Sequence, residues 1–138
     1  MNLQEFLNKS NVAGIEKSVT ISKRLTDPDT GELFKFKIRA LSSKEYENAR
    51  NMATRMPKRK NESVQVDNVI YYTQLILAGC IEPNFKDAQS IAELNCVSPE
   101  EYINRVLLPG EIIDLSTAIV RLSGFDEDMS ALVEEAKN

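Results

Sequence analysis

The spacing of apolar residues changes period along this chain, and that change constrains the fold more than any total. From Lys17 the period is two: Val19 and Ile21 share one face, continued by Leu25, while Thr20, Ser22 and Arg24 take the other. Phe34, Phe36, Ile38 and Ala40 then alternate with Lys35, Lys37 and Arg39. Between the two runs lies Asp27-Pro28-Asp29-Thr30-Gly31, with proline preset for the second turn position and glycine free to take a positive φ. The pattern predicts a β-hairpin with its apolar set inward and its basic set outward. A lone hairpin is marginal in water, so its apolar face needs a cover.

The rest of the chain reads as that cover, in helices. Ser42 with Glu45 is a capping box ahead of Tyr46, Ala49, Ala53 and Met56, and Pro57 stops that helix. A polar run from Lys58 to Ser63 predicts a flexible linker near 57–66. Asp67 caps the next helix, where Val69, Ile70, Tyr71, Tyr72, Leu75, Ile76 and Leu77 leave scarcely any polar face before Gly79. A helix apolar nearly all round is buried on more than one side, which makes this one central. Ile81-Glu82-Pro83-Asn84 breaks the chain, and Asp87 opens a short helix through Ile91 and Leu94. Ser98-Pro99-Glu100-Glu101 sets a cap, an N1 proline and a capping-box glutamate ahead of Tyr102, Ile103, Val106 and Leu107.

Pro109-Gly110 separates that helix from one beginning near Glu111, with Ile112, Leu115, Ile119 and Leu122 as its stripe. Gly124 fits a C′ position and Phe125 the hydrophobic residue after it. Asp126 then caps a last helix whose inner face is Met129, Leu132, Val133 and Ala136. With a short helix around Leu3, Phe6 and Leu7, the expected class is α+β: an N-terminal β-hairpin packed against a mostly helical domain of five to six helices. At 138 residues the chain suits a single domain, residues 1–41 holding the N-terminal segment and hairpin and 42–138 the helices.

Composition narrows the functions open to such a fold. No apolar run approaches the roughly 20 residues that cross a bilayer, and the start is unlike a signal peptide, so a cytosolic protein is expected. Histidine is absent, removing the commonest general base and neutral metal ligand together. Cys80 and Cys96 are a single, widely spaced pair, too few for a structural zinc site and expected to be reduced, small apolar residues. The 5 glycines are scattered among turns, so no phosphate-cradling loop exists. Glu100-Glu101 and Asp126-Glu127-Asp128 sit in first helical turns, where the helix dipole favours them, and Glu134-Glu135 reads as a solvated or partner-facing edge. No enzyme activity, cofactor or metal is expected.

Charge is split along the chain. Residues 1–60 carry 13 Lys or Arg against 7 Asp or Glu, and residues 61–138 carry 4 against 14. The two halves either face each other or serve a two-ended adaptor. The basic run from Arg55 to Lys60 holds no aromatic residue for base stacking and reads as a solvated loop. Lys35, Lys37 and Arg39 form a regular row: the wet side of the hairpin, or a docking strip for an acidic partner or for the acidic half of the same chain. An alternative is a small nucleic-acid-binding regulator using that basic face, although the acidic total makes nucleic acid an unlikely partner.

Several segments together carry a resemblance. Val19 to Leu25 with Asp27 and Gly31, the Glu82-Pro83 break after an apolar helix, Leu108-Pro109-Gly110-Glu111-Ile112, and Leu122-Ser123-Gly124-Phe125 occur in an order that resembles the XkdN-like family of phage tail assembly chaperones. The resemblance implies a non-enzymatic protein of a phage or prophage, working in the cytoplasm of the bacterial host and absent from the finished virion. It implies binding to the phage tape measure protein, which is kept soluble, and recruitment of tail tube subunits to it. It also implies a longer frameshifted form. The residues expected to meet partners are Phe125, Met129, Leu132 and Val133, then Lys35, Lys37 and Arg39, with homo-oligomerisation a further possibility.

Overall fold

The computed structural model describes residues 1–125; the expected last helix, with Asp126, Met129, Leu132, Val133 and Ala136, lies outside the described residues. Elements run α1 (Leu3–Lys9), β1 (Glu16–Val19), β2 (Phe36–Arg39), α2 (Ser43–Ala53), β3 (Thr54–Arg55), β4 (Gln65–Val66), α3 (Asn68–Gly79), β5 (Cys80–Glu82), α4 (Ala88–Glu93), α5 (Pro99–Val106) and α6 (Pro109–Val120). A 3₁₀ turn at Val12–Gly14 precedes β1, and a π-type turn, Arg121–Phe125, follows α6. The architecture is α+β, with a small antiparallel sheet of order β1-β2-β5 against the helices.

β2 is the central strand. It pairs with β1 in the register Glu16↔Arg39 to Val19↔Phe36, and its other edge takes β5 with an irregularity between Lys37 and Ile38. The turn forms as its residues dictate: Gly31 has φ +78°, and its N–H donates to the Asp27 carbonyl at 2.8 Å. Pairing near the turn is confined to the Thr26↔Leu33 bridge, so residues 20–25 on one side oppose only Phe34 and Lys35 on the other. This excursion corrects the expected alternation. Phe36, Ile38 and Ala40 are buried as expected, but Phe34 lies beyond the last β1–β2 pair and is 51% exposed.

The caps at Ser42, Asp67, Asp87 and Ser98 all form, each side-chain oxygen accepting from a backbone N–H three residues on. Three boundaries differ from expectation. α2 ends at Ala53, before Pro57, because Thr54 and Arg55 leave the helix to pair with Val66 and Gln65; Met56 is therefore 75% exposed instead of inward. Pro109 and Gly110 open α6 rather than separating it from α5, proline at the first position having no N–H to orphan. Ile81 and Glu82, expected to begin a break running to Asn84, belong to the strand Cys80–Glu82, which completes the sheet before a cis Glu82–Pro83 peptide.

The core lies where β2 meets α3, α5 and α6. Ile38, Leu75, Ile76, Ile103, Leu115 and Ile119 are essentially sealed from water. α3 packs against α2, α5 and α6, the central placement its all-round apolarity required. It approaches α6 closely: a Cβ on Gly79 would lie 2.5 Å from Ile119 Cγ2, so only glycine admits this contact.

Candidate partner-binding surface

Residues 20–25 organise the surface, and one ion pair holds them. Arg24 reaches across to α6, its Nη2 donating to Glu111 Oε1 at 2.6 Å and Nε to Oε2 at 3.1 Å, while Nη2 also donates to the Val106 carbonyl. Glu111 is buried and has a second task, accepting from the Leu108 N–H at 2.7 Å to cap the start of α6. The Arg24 guanidinium, followed by that backbone bond, holds the Glu111 carboxyl down at about 2 against the opposing effect of burial. Sequence reasoning placed Arg24 beside the basic row of the hairpin. It joins the basic N-terminal half to the acidic C-terminal half, in keeping with halves that face each other, through a contact 87 positions apart whose partner no local pattern could name.

On either side of this tie the surface opens into grooves. One, of about 820 Å³, lies between Lys17, Val19 and Ile21 on one side and Asp114 and Ala118 of α6 with Arg121, Leu122 and Phe125 of the following turn on the other. A second, of about 320 Å³, is lined by Leu25, Phe34 and Lys35 of the hairpin and by Phe85, Tyr102 and Val106. A third, of about 220 Å³, lies between Val69 and Tyr72 of α3 and Pro109 and Ile113 of α6. Away from the grooves, α1 contributes no buried residue, and Leu3, Phe6 and Leu7 stand in water with Val12 and Ile15 behind them.

The expected partner-meeting residues fall into three sets. Phe125 is 58% exposed and lies against Tyr46 with ring centroids 5.0 Å apart; Tyr46 in turn meets Tyr71, their hydroxyls 3.2 Å apart. Met129, Leu132 and Val133 lie outside the described residues. Of the basic row, Lys35 reaches the second groove, Lys37 Nζ stands 3.4 Å from Glu16, and Arg39 forks onto Glu45. That guanidinium holds the Glu45 carboxyl at about 2. Lys37 and Arg39 thus each have an acidic neighbour within the chain.

Glu101 accepts from the Val97 N–H and Glu100 from the Gln74 amide, as helix-start carboxylates do. No group of three or more Cys, Asp or Glu able to hold a metal occurs among the described residues. Cys80 and Cys96 are both free thiols, and burial pushes Cys80 up to about 12, away from thiolate reactivity.

Comparison with known proteins supplies the class of this small α+β scaffold with open surface grooves. A profile for the phage XkdN-like tail assembly chaperone proteins matches residues 3–137. The class is therefore the phage tail assembly chaperones, and the chain belongs to the XkdN-like family within it. Relatives from Bacillus subtilis (strain 168) agree over nearly full length. The uncharacterized protein YqbN is 26% identical across 99% of this chain and 93% of its own, and the phage-like element PBSX protein XkdN is 24% identical across 99% and 94%. The crystal structure of YqbN shares the fold, with a TM-score of 0.67 over 91% of this chain and 98% of that one at 22% identity.

Proposed function

We propose that this protein binds the tape measure protein of its phage or prophage, keeps it soluble, and helps bring tail tube subunits to it, without transforming a substrate. The observation that carries the reading is the family match over residues 3–137. The surface supplies the means: open grooves and the bare stripe of Leu3, Phe6 and Leu7 suit the apolar ridges of a long helical partner, which lie into grooves at i, i+3 and i+4 anchors. Many weak copies along one chain gain avidity while each remains displaceable by a tube subunit. Such work belongs in the host cytoplasm, before the virion is complete. No helix among the described residues is long and apolar enough to cross a membrane.

Co-expression with the tape measure from the same gene cluster tests the reading. A soluble complex that releases the tape measure when tube protein is added is the expected result. A tape measure that stays insoluble and never co-purifies would remove the proposal.

A further inference from the structure

α1 and the groove of about 320 Å³ are complementary surfaces held apart within one molecule. We propose that they meet between copies of this chain: the Leu3, Phe6 and Leu7 face of α1 seats in the groove of Leu25, Phe34, Phe85, Tyr102 and Val106 on a second copy, head to tail.

The first support is the helix itself. α1 has seven residues, none of them buried, and Leu3, Phe6 and Leu7 are each more than half exposed. Isolated helices shorter than about 12–15 residues are marginal in water, so the Asn2 cap needs help from packing. The second support is position. α1 joins the Glu16 end of β1 through the Val12–Gly14 turn, whereas the groove lies at the other end, where Val19 pairs with Phe36 and the chain goes on to Leu25 and Phe34. The chain's own α1 is therefore at the wrong end of the strand pair to fill it. The third is complementarity. Leu3, Phe6 and Leu7 form an i, i+3, i+4 anchor set of the kind that lies into an apolar groove, and the aromatic walls Phe34, Phe85 and Tyr102 suit Phe6. Lys35 is the one charged residue lining the groove, and Glu5, beside Phe6, is the one carboxylate of α1; neither has an ion-pair partner among the described residues.

Such a contact is heterologous: each copy keeps a helix for one neighbour and a groove for another, so association extends past a dimer. A helix this short covers less than the about 800 Å² per partner of a standard interface, which makes the contact weak and displaceable. It involves this protein alone, so failure of a tape measure to bind leaves it standing.

Sedimentation of the purified chain tests it. Weight-average mass should rise past that of a dimer between about 10 µM and 1 mM; a monomer mass throughout, or a species that stops at two copies, overturns the proposal. Phe6→Asp and Phe34→Asp, both at exposed positions outside the core, should each weaken association about tenfold or more. Mixed, the two variants should form a one-to-one dimer and nothing larger, because one intact helix meets one intact groove. A mixture that stays monomeric, or a variant that associates as the unaltered chain does, overturns the proposal. Glu5→Lys and Lys35→Glu should each weaken association about threefold and recover it when combined, whereas losses that simply add overturn the contact.

Discussion

α1 and α3 both carry large apolar residues at helical spacing, yet these have opposite fates. α3 buries Leu75 and Ile76 with Thr73 and Gly79 against three other helices, whereas α1 buries nothing and leaves Leu3, Phe6 and Leu7 in water. Apolar residues at helical spacing therefore state that a face requires cover; they do not state whose. Where the molecule supplies the cover, the residues build stability. Where it does not, they are available to another molecule.

The sharpest way to break this contrast is Ile76→Ala. Truncating a fully sealed side chain between packed helices should lower unfolding free energy by about 3 kcal/mol, read from the denaturation midpoint at unchanged slope. Next is Gly79→Ala, where the added methyl collides with Ile119 and forces the α3–α6 contact apart. A loss of about 2 kcal/mol is expected; because Ile119→Ala removes the colliding Cγ2, the double change should cost less than the sum of the two single ones, and simple additivity would refute the contact.

Glu111→Gln probes the tie between halves. It weakens the bonds to Arg24 and Leu108, for a loss of about 1–2 kcal/mol after allowing for the water that screens the half-exposed guanidinium. Because the Glu111 carboxyl is held at about 2, below its ordinary 4.5, its contribution is present in full above pH 4.5 and disappears as pH falls towards 2. Glu45 acts in the same direction over the same interval. The acid limb of stability against pH should thus be shallower in Glu111→Gln than in the unaltered chain. The smallest stability effect belongs to the other member of the comparison. Leu3→Ser, Phe6→Ser and Leu7→Ser should each change stability by less than about 0.5 kcal/mol, yet together reduce the yield of soluble tape measure in co-expression.

Much of this fold was legible because its signals are local. The Asp27 to Gly31 turn, the caps at Ser42, Asp67, Asp87 and Ser98, and the left-handed Gly124 each follow from a few adjacent residues. What escaped depends on partners distant in sequence. β5 is three residues continuous with the apolar run of α3, and only its pairing with β2 identifies it. Phe34 was misplaced because alternation continues in sequence past the point where β1 stops pairing, and the partner of the outward Arg24 went unnamed because it is on α6. In the candidate surface, Phe125 was legible from the C′ glycine before it. The neighbours of Lys37 and Arg39 were not: Glu16 is set by cross-strand register, and Glu45 already had a local role as a cap.

One hydroxyl near the end of α6 connects regions otherwise far apart. Ser123 Oγ donates to the Ile119 carbonyl at 2.7 Å and accepts from the Leu41 N–H at 2.9 Å, joining the exit of the hairpin to the root of the C-terminal segment. The two residues of the Leu41–Ser123 bond are 82 positions apart, so the approach to α2 and the turn after α6 share one anchor. Losing that hydroxyl would leave the buried Leu41 N–H without its acceptor and loosen both places at once.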